Sequence, residues 1–437
     1  MEQDKGKFGL WSIVLLGING TIGSGIFLLP GKAMELVGSA SMLVYLFLAV
    51  LTMSIALCYA ECSGMFSRNG AAYVYAREAF GEFIGFEVAF MKLIVSLTSL
   101  AAMTVAFVMA LSVFWPGITT GSAKPVCTVL ILTTLALVNI MGLRPTKILN
   151  NTVTLAKLFP LVLFVVVGAF YIHGENFTPF IPERFDLDAF GAAAMIIFFA
   201  FAGFDNLAVP AEDMKNPRRN LPIAISLVVV LCCIIYIAIQ AVAIGTLGSA
   251  LAGSKLPIAD AAQVFMGSNG KLLVSLGTVI SIGGILVARS FGIPRLAVAL
   301  AHDRILPAFF AKNGRYGTPA AAIILCILIA IPIALSGSFV QLAALNAVSR
   351  FANYLPTCLA VVVLRHKRPE LSTGFRVPYI KIAAFVAVTL ILWLLTKAQA
   401  AQLLVGTGAL LVGAVLFLFA KYSERRWLPQ AEKQVGG

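Results

Sequence analysis

Charge is what this chain has least of. Of its 437 residues only 12% are Asp, Glu, Lys or Arg, about half the share that a soluble domain uses to cover its surface. Histidine is nearly absent: His173, His302 and His366 all stand at the ends of apolar runs. None can face another in mid-membrane, so a haem or metal site is not expected, and no other cofactor is suggested. The seven cysteines include no CxxC pair and fall inside apolar runs, which predicts free, packed thiols and no disulfide. Hydrolytic chemistry inside a membrane needs a Ser–His or Cys–His pair, a metal cluster or paired aspartates. Without a mid-run histidine, and with Asp205 as the one mid-run aspartate, an enzyme is not expected. A continuous polar pore is lacking too, which argues against a channel. Long polar segments are absent, so one membrane domain without a soluble appendage is expected, with lipid around it and no obligate protein partner indicated.

What is present is apolar sequence: 60% hydrophobic residues, recurring in runs of membrane-spanning length. Walking the runs predicts about twelve spans, at roughly 10–30, 41–65, 82–114, 125–142, 153–172, 189–209, 222–247, 270–300, 319–336, 339–364, 378–396 and 400–420. The first run carries Gly, Ser and Pro and no cleavage site before a polar mature domain, so a retained span is expected rather than a signal peptide. The net charge of +13 would suggest nucleic acid in a soluble protein. Here the basic residues sort into alternate loops, and no nucleic acid is expected. One set holds residues such as Lys5, Arg68, Arg77, Arg144, Lys215, Arg218, Arg304, Arg365 and Arg425; the other holds only Lys124, Arg184, Lys255, Lys271 and Lys397. That asymmetry places both termini in the cytoplasm of a cell (inner) membrane protein.

Two spans are anomalous. The first contains Gly17, Gly20, Gly23 and Gly25 within nine residues, with Asn19, Thr21 and Ser24 among them. The sixth reads Phe198-Phe199-Ala200-Phe201-Ala202-Gly203-Phe204-Asp205-Asn206. Each glycine in a helix interior costs about 1 kcal/mol relative to Ala, so the helices are easy to break there. Unwound backbone in a membrane is tolerated only in a protein-buried or water-lined cavity. Half-helix ends then offer N–H groups to an anion and carbonyls to a cation, and an amino acid carries one of each. Close packing through small residues explains many membrane glycines, but paired broken helices in two halves are the sequence pointer to a transporter site.

Six motifs taken in order resemble the amino acid–polyamine–organocation transporter superfamily over essentially the whole chain. They are Gly23-Ser24-Gly25-Ile26-Phe27 with Pro30; Tyr59-Ala60-Glu61 through Gly70-Ala71-Ala72-Tyr73; Lys215-Asn216-Pro217-Arg218-Arg219 with Pro222; Pro294-Arg295 through Asp303-Arg304-Ile305-Leu306-Pro307; Thr318-Pro319; and Phe375-Arg376-Val377-Pro378. Within it the chain looks closest to bacterial L-type and small-neutral amino acid exchangers. The resemblance implies an all-α membrane fold of five-plus-five inverted repeats, of the leucine-transporter type, with two extra C-terminal helices. Repeat one would cover about 10–172, repeat two about 189–364 and the extra helices about 378–420 of a single transporter domain.

By the same resemblance, the breaks at Thr21, Ile22, Gly23, Ser24, Gly25 and at Phe199, Ala200, Ala202 would bind the substrate. N–H groups around Ser24 and Gly25 would hold its carboxylate, and a side chain at Gly25 would block that approach. The carbonyls of Thr21, Phe199 and Ala202 would take its ammonium, with Phe199 as an aromatic gate. From the residues alone, Phe198, Phe199, Phe201 and Phe204 also read as a packing or lipid-facing stripe. Val95, Ser96, Leu100, Met103 and Ile285 would line the side-chain pocket, and their small or apolar character argues for a neutral substrate.

Intramembrane charges are functional candidates by default. Lys157 resembles the arrangement in which an ammonium replaces a coupling cation between the first, fifth and eighth helices; the alternative is a lysine snorkelling to the membrane face. Lys92, Asp205 and Tyr354 match gate positions, and Lys92 with Asp205 would pair across the outer gate. Arg350 is expected at the outer vestibule, and Glu61, Arg289 and Glu212 in an inner ion-pair network. The function expected is sodium-independent transport of small neutral L-amino acids by alternating access, with exchange favoured. Proton-coupled symport and cationic amino acid or polyamine antiport are the alternatives.

Overall fold

The computed structural model describes residues 7–67, 69–142, 147–181, 185–302, 308–312, 314, 316–371 and 375–431. Asp303 to Pro307 of the fourth motif, and Lys5, Arg68, Arg144, Arg184 and Arg304 of the charge pattern, lie outside the described residues.

The fold is all-helical: among the described residues there is no strand, only an isolated bridge between Phe8 and Met214. The helices are α1 (Leu10–Thr21), α2 (Ser24–Leu28), α3 (Pro30–Val37), α4 (Ser41–Met65), α5 (Ala72–Phe80), α6 (Glu82–Leu111), α7 (Ala123–Ile140) and α8 (Lys147–Gly168). They continue with α9 (Leu187–Phe201), α10 (Pro217–Leu247), α11 (Pro257–His302), α12 (Ala320–Leu335), α13 (Phe339–Lys367), α14 (Ile380–Thr396) and α15 (Ala400–Ala431). Nine helical segments among the described residues are long and apolar enough to cross a membrane, and three shorter apolar helices, α1, α12 and α14, accompany them. The expected spans thus correspond to helices. One region was read too simply: the loop expected over 247–269 contains the first turns of α11, which Gly267 (φ 64°) separates from the spanning part.

Helix ends follow local chemistry. Ser338 and Gln341 form a reciprocal capping box at the start of α13, and Asp186 accepts the Asp188 N–H to cap α9. Lipid-facing surface is apolar: Leu404, Leu411, Val415 and Phe419 of α15 are exposed.

Chain direction fixes which side of the membrane each site residue approaches. The Phe8 N–H donates to Asp213 O at 3.0 Å and the Lys215 N–H to Phe8 O at 2.9 Å. Residues 213–215, past the end of the sixth span, therefore share a face with the N-terminus. We call it the N-terminal face. From it α1 runs inward to its break, α4 returns to it, and α6 starts from it.

Candidate functional site

Both expected breaks are present, and they touch. Helix α1 stops at Thr21 because Ile22 (φ −73°, ψ 97°) and Gly23 (φ −126°, ψ −151°) are extended. Helix α9 stops at Phe201, with Ala202 extended and Gly203 at φ 134°. Gly203 meets two demands at once. Its φ lies where side chains are strained, and a Cβ there would stand 2.4 Å from Gly20 O. The unwound segment after α9 therefore lies in direct backbone contact with the last turn of α1.

The carbonyls freed by the α1 break have donors from other helices. The Lys157 ammonium on α8, fully buried, donates to Asn19 O and Ile22 O, each at 2.7 Å. Ser281 of α11 donates to the same Ile22 O at 3.5 Å. Snorkelling is thereby excluded as an account of Lys157. The Tyr236 hydroxyl on α10 lies 3.2 Å from Thr21 O and 3.0 Å from Ala200 O, so its one proton serves both breaks. Two buried hydroxyls of the first break, Thr21 Oγ1 and Ser24 Oγ, have no partner among the described residues. An unpartnered hydroxyl buried beside unwound backbone is costly and is suited to receive a polar ligand.

The glycines of the break face different ways. A Cβ on Gly23 would meet Met103 Cε at 3.0 Å and Ile285 Cδ1 at 3.3 Å, two of the expected pocket residues. A Cβ on Gly25 would instead lie 2.6 Å from Ala200 Cα. A side chain at Gly25, expected to block the substrate's approach, would press on the α9 backbone, whereas one at Gly23 would face Met103 and Ile285. Leu100 and Val95 are buried on α6, where Val95 O accepts from Asn346 Nδ2 at 2.8 Å. The Ser96 hydroxyl is turned to its own helix, donating to Lys92 O at 2.8 Å. Phe199 packs edge-on against Phe339, ring centroids 5.7 Å apart, and Phe198, Phe201 and Phe204 are buried as well. The stripe faces protein, not lipid.

Beyond the breaks lies a buried charged cluster. Lys92 Nζ contacts Asp205 Oδ2. Asp205 Oδ1 accepts from Arg350 Nη1 and from the Tyr354 hydroxyl, each at 3.0 Å. Arg350 Nε donates to Asn346 Oδ1 at 2.8 Å, and the Tyr354 ring meets Tyr59 edge-on at 5.6 Å. Lys92 and Asp205 are thus together, as the sequence suggested, but on the side of the breaks that faces the N-terminus. Asp205 follows Gly203 on the way to Met214, and Tyr59 lies near the end of α4, so the cluster sits between the breaks and the N-terminal face. Arg350 belongs to it, paired with Asp205 on that same side. The expected inner network of Glu61, Arg289 and Glu212 is also corrected. Glu61 pairs with Arg365 and accepts the Val377 N–H at 3.0 Å, and Glu212 exchanges hydrogen bonds with Asn69. Arg289, on α11, joins neither.

Tyr236 escaped the sequence reading. A tyrosine within Cys232-Cys233-Ile234-Ile235-Tyr236 has no local signature, and its role follows only from where α10 passes the two breaks.

An all-helical membrane protein with two broken helices in contact, their loose ends held by buried polar groups, is built as a carrier of small molecules. A family model describing amino acid permeases matches residues 8–419, and the chain belongs to that family, within the amino acid–polyamine–organocation superfamily. It is a multi-pass membrane transporter, not an enzyme. Among relatives, the methylthioribose transporter of Bacillus subtilis is 28% identical over 401 residues, covering 88% of this chain and 86% of the relative. The branched-chain amino acid permease BcaP of the same organism is 27% identical over 440 residues, covering 95% and 93%. The chloroplastic cationic amino acid transporter 9 of Arabidopsis thaliana is 29% identical over 326 residues, covering 70% of this chain and 57% of the relative.

Proposed function

We propose that this permease carries small neutral L-amino acids, independently of sodium, by alternating access around the two breaks, with exchange as the favoured mode. The observation that carries the reading is the contact of Gly203 with the backbone of Gly20–Thr21, beside the unpartnered Thr21 and Ser24 hydroxyls. The free N–H groups at Ser24 and Gly25 suit a carboxylate, and the carbonyls at Phe199 and Ala202 suit an ammonium. Met103 and Ile285 stand close beside Gly23, an apolar lining that favours a small uncharged side chain. The breaks fall in the first and sixth spans, in keeping with a five-plus-five repeat in which 10–172 and 189–364 correspond. The basic loops put the N-terminal face in the cytoplasm, which makes the Asp205 cluster an inner gate. Uptake into proteoliposomes tests the function. Labelled small neutral amino acids are expected to enter fastest when the lumen is preloaded with amino acid, with no response to a sodium gradient. Failure of every amino acid to enter would end this reading.

Two substitutions probe the site. In Gly23→Val the new methyls meet the soft Met103 side chain, which can yield. We expect folded protein with substrate affinity lowered at least tenfold. In Gly25→Val they meet the α9 backbone, which cannot yield, at a cost of about 1–3 kcal/mol, and less folded protein is expected. Substrate binding and size-exclusion recovery of the two variants check the assignment; similar outcomes for both would contradict it.

Phe199 supplies a lid by resemblance and a ring packed on Phe339 by observation. Phe199→Ala is expected to raise KM about tenfold and to admit larger side chains, because it opens the cavity on the side away from the N-terminal face. Wild-type KM and selectivity would reduce Phe199 to a packing residue.

A further inference from the structure

The buried cluster below the breaks is unbalanced. Lys92 and Arg350 both bear on Asp205, the one carboxylate in contact with either. Arg350 Nη1 and Nε are engaged, whereas Nη2 donates to no described residue. Arg289 adds a third cation. It is half-buried and makes no hydrogen bond or ion pair with any described residue. Neighbouring acids are engaged or turned elsewhere: Glu61 by Arg365, Glu212 by Asn69, and Glu87 against Gly413 of α15. A buried cation without an anion is costly and is kept where something uses it.

Helix geometry places these cations on the route from the breaks. Ile285 reaches Gly23, and Arg289, four residues on, stands on the same face of α11, about 6 Å closer to the N-terminal face. Met103 also reaches Gly23, and Lys92 lies eleven residues earlier on the same stripe of α6, about 16 Å closer to that face. Both stripes begin at the substrate break and descend to cations. Lys92 and Arg289 keep partial exposure while Arg350 is buried.

We propose that Lys92, Arg289 and Arg350 form an anion-binding station on the path between the breaks and the N-terminal face, which takes a carboxylate and rejects cationic side chains. For an amino acid substrate the carboxylate is its own, passed from the break to the station as the inner route opens. The station thereby acts as a second selectivity element: it accepts zwitterions and anionic side chains, and it opposes lysine-like substrates by like-charge repulsion. The inference rests on the transport reading for the route, but not for the binding itself.

The test uses purified full-length protein and reads two quantities. In the first, acetate is titrated at constant ionic strength against a bulky sulfonate, and thermal unfolding is followed. Wild type is expected to gain several degrees, Arg289→Lys to keep the gain, and Arg289→Gln to lose most of it. In the second, lysine competes with a transported neutral amino acid, and its inhibition constant is divided by the neutral substrate's own constant in the same variant. That ratio is expected to fall about tenfold in Arg289→Gln, equivalent to about 1.4 kcal/mol, and to stay at the wild-type value in Arg289→Lys. No acetate shift in wild type, equal shifts in all three proteins, or an unchanged ratio in Arg289→Gln would each overturn the station. Absence of uptake of any amino acid by wild type would overturn the transport reading instead, and the acetate titration would still decide the station.

Discussion

Lys157→Ala is expected to lower turnover about a hundredfold while leaving most of the protein folded and inserted. The ammonium is the donor for Asn19 O and Ile22 O at 2.7 Å, two carbonyls that the break in α1 deprives of helical partners. Hydrogen bonds to a charged donor contribute about 1.5–3 kcal/mol each, and in a membrane-buried site the orphaned carbonyls find no ready water. The α1 break is also where substrate binds on our reading, so a loosened break costs the oriented site rather than the whole fold. Ser281 still reaches Ile22 O, and α1 retains its packing on α10 through Gly17, so complete unfolding is not expected. The same ammonium is expected to make transport independent of sodium. A sodium ion among α1, α8 and α11 would stand a few ångströms from it and be repelled by about 4 kcal/mol at an effective dielectric of 20, roughly a thousandfold in affinity. Initial rates per folded molecule, with and without a sodium gradient at fixed pH, check both statements. Full activity of Lys157→Ala, or uptake that rises steeply with sodium in wild type, would contradict them.

The parts of this architecture that were legible in the sequence are those with short-range causes. Runs of apolar residues located the helices because span length is set by bilayer thickness. Glycines with interleaved polar residues located both breaks because backbone cost is local. Lys157, Lys92 and Asp205 stood out because charge inside a membrane demands a partner. What the sequence did not disclose depends on direction and on neighbours. Whether Asp205 lies on the N-terminal side of the breaks or the opposite one turns on which half of a broken helix follows Gly203, and the Phe8–Met214 bridge places it on the N-terminal side. Gly23 and Gly25 are equivalent as letters, and only the position of α9 makes one face the pocket and the other a helix backbone. Arg289 was grouped with Glu61 by its distance from a span end. Glu61 instead found Arg365 and the backbone at Val377, contacts made across 304 and 316 residues of chain.

Asp205→Asn is expected to abolish more than nine-tenths of transport, and its damage should fall on one face of the protein. The carboxylate accepts from Lys92, Arg350 and Tyr354 at once. An amide cannot offset two buried cations, and its NH2 group would point a donor at one of them. Removing one partner of a buried ion pair costs about 3–5 kcal/mol. Because the cluster joins α6 and α13 to the segment after α9, that cost falls on the state in which these elements are drawn together. States open toward the N-terminal face lose less, since water reaches the cations there. A difference of about 3 kcal/mol moves such an equilibrium by about two orders of magnitude, enough to trap the carrier on one side. Native thiols report the shift. Cys58 and Cys358 are fully buried beside Tyr59 and Tyr354, whereas Cys326 on α12 is buried away from the cluster. Peptide-resolved maleimide labelling is expected to rise at Cys58 and Cys358 in Asp205→Asn and to stay level at Cys326. Adding Lys92→Gln should restore part of the lost transport, because it removes one of the two cations left unpaired. Labelling that rises equally at all three cysteines would show general loosening of the fold, and wild-type transport by Asp205→Asn would mean that the cluster neither closes the inner route nor needs its carboxylate.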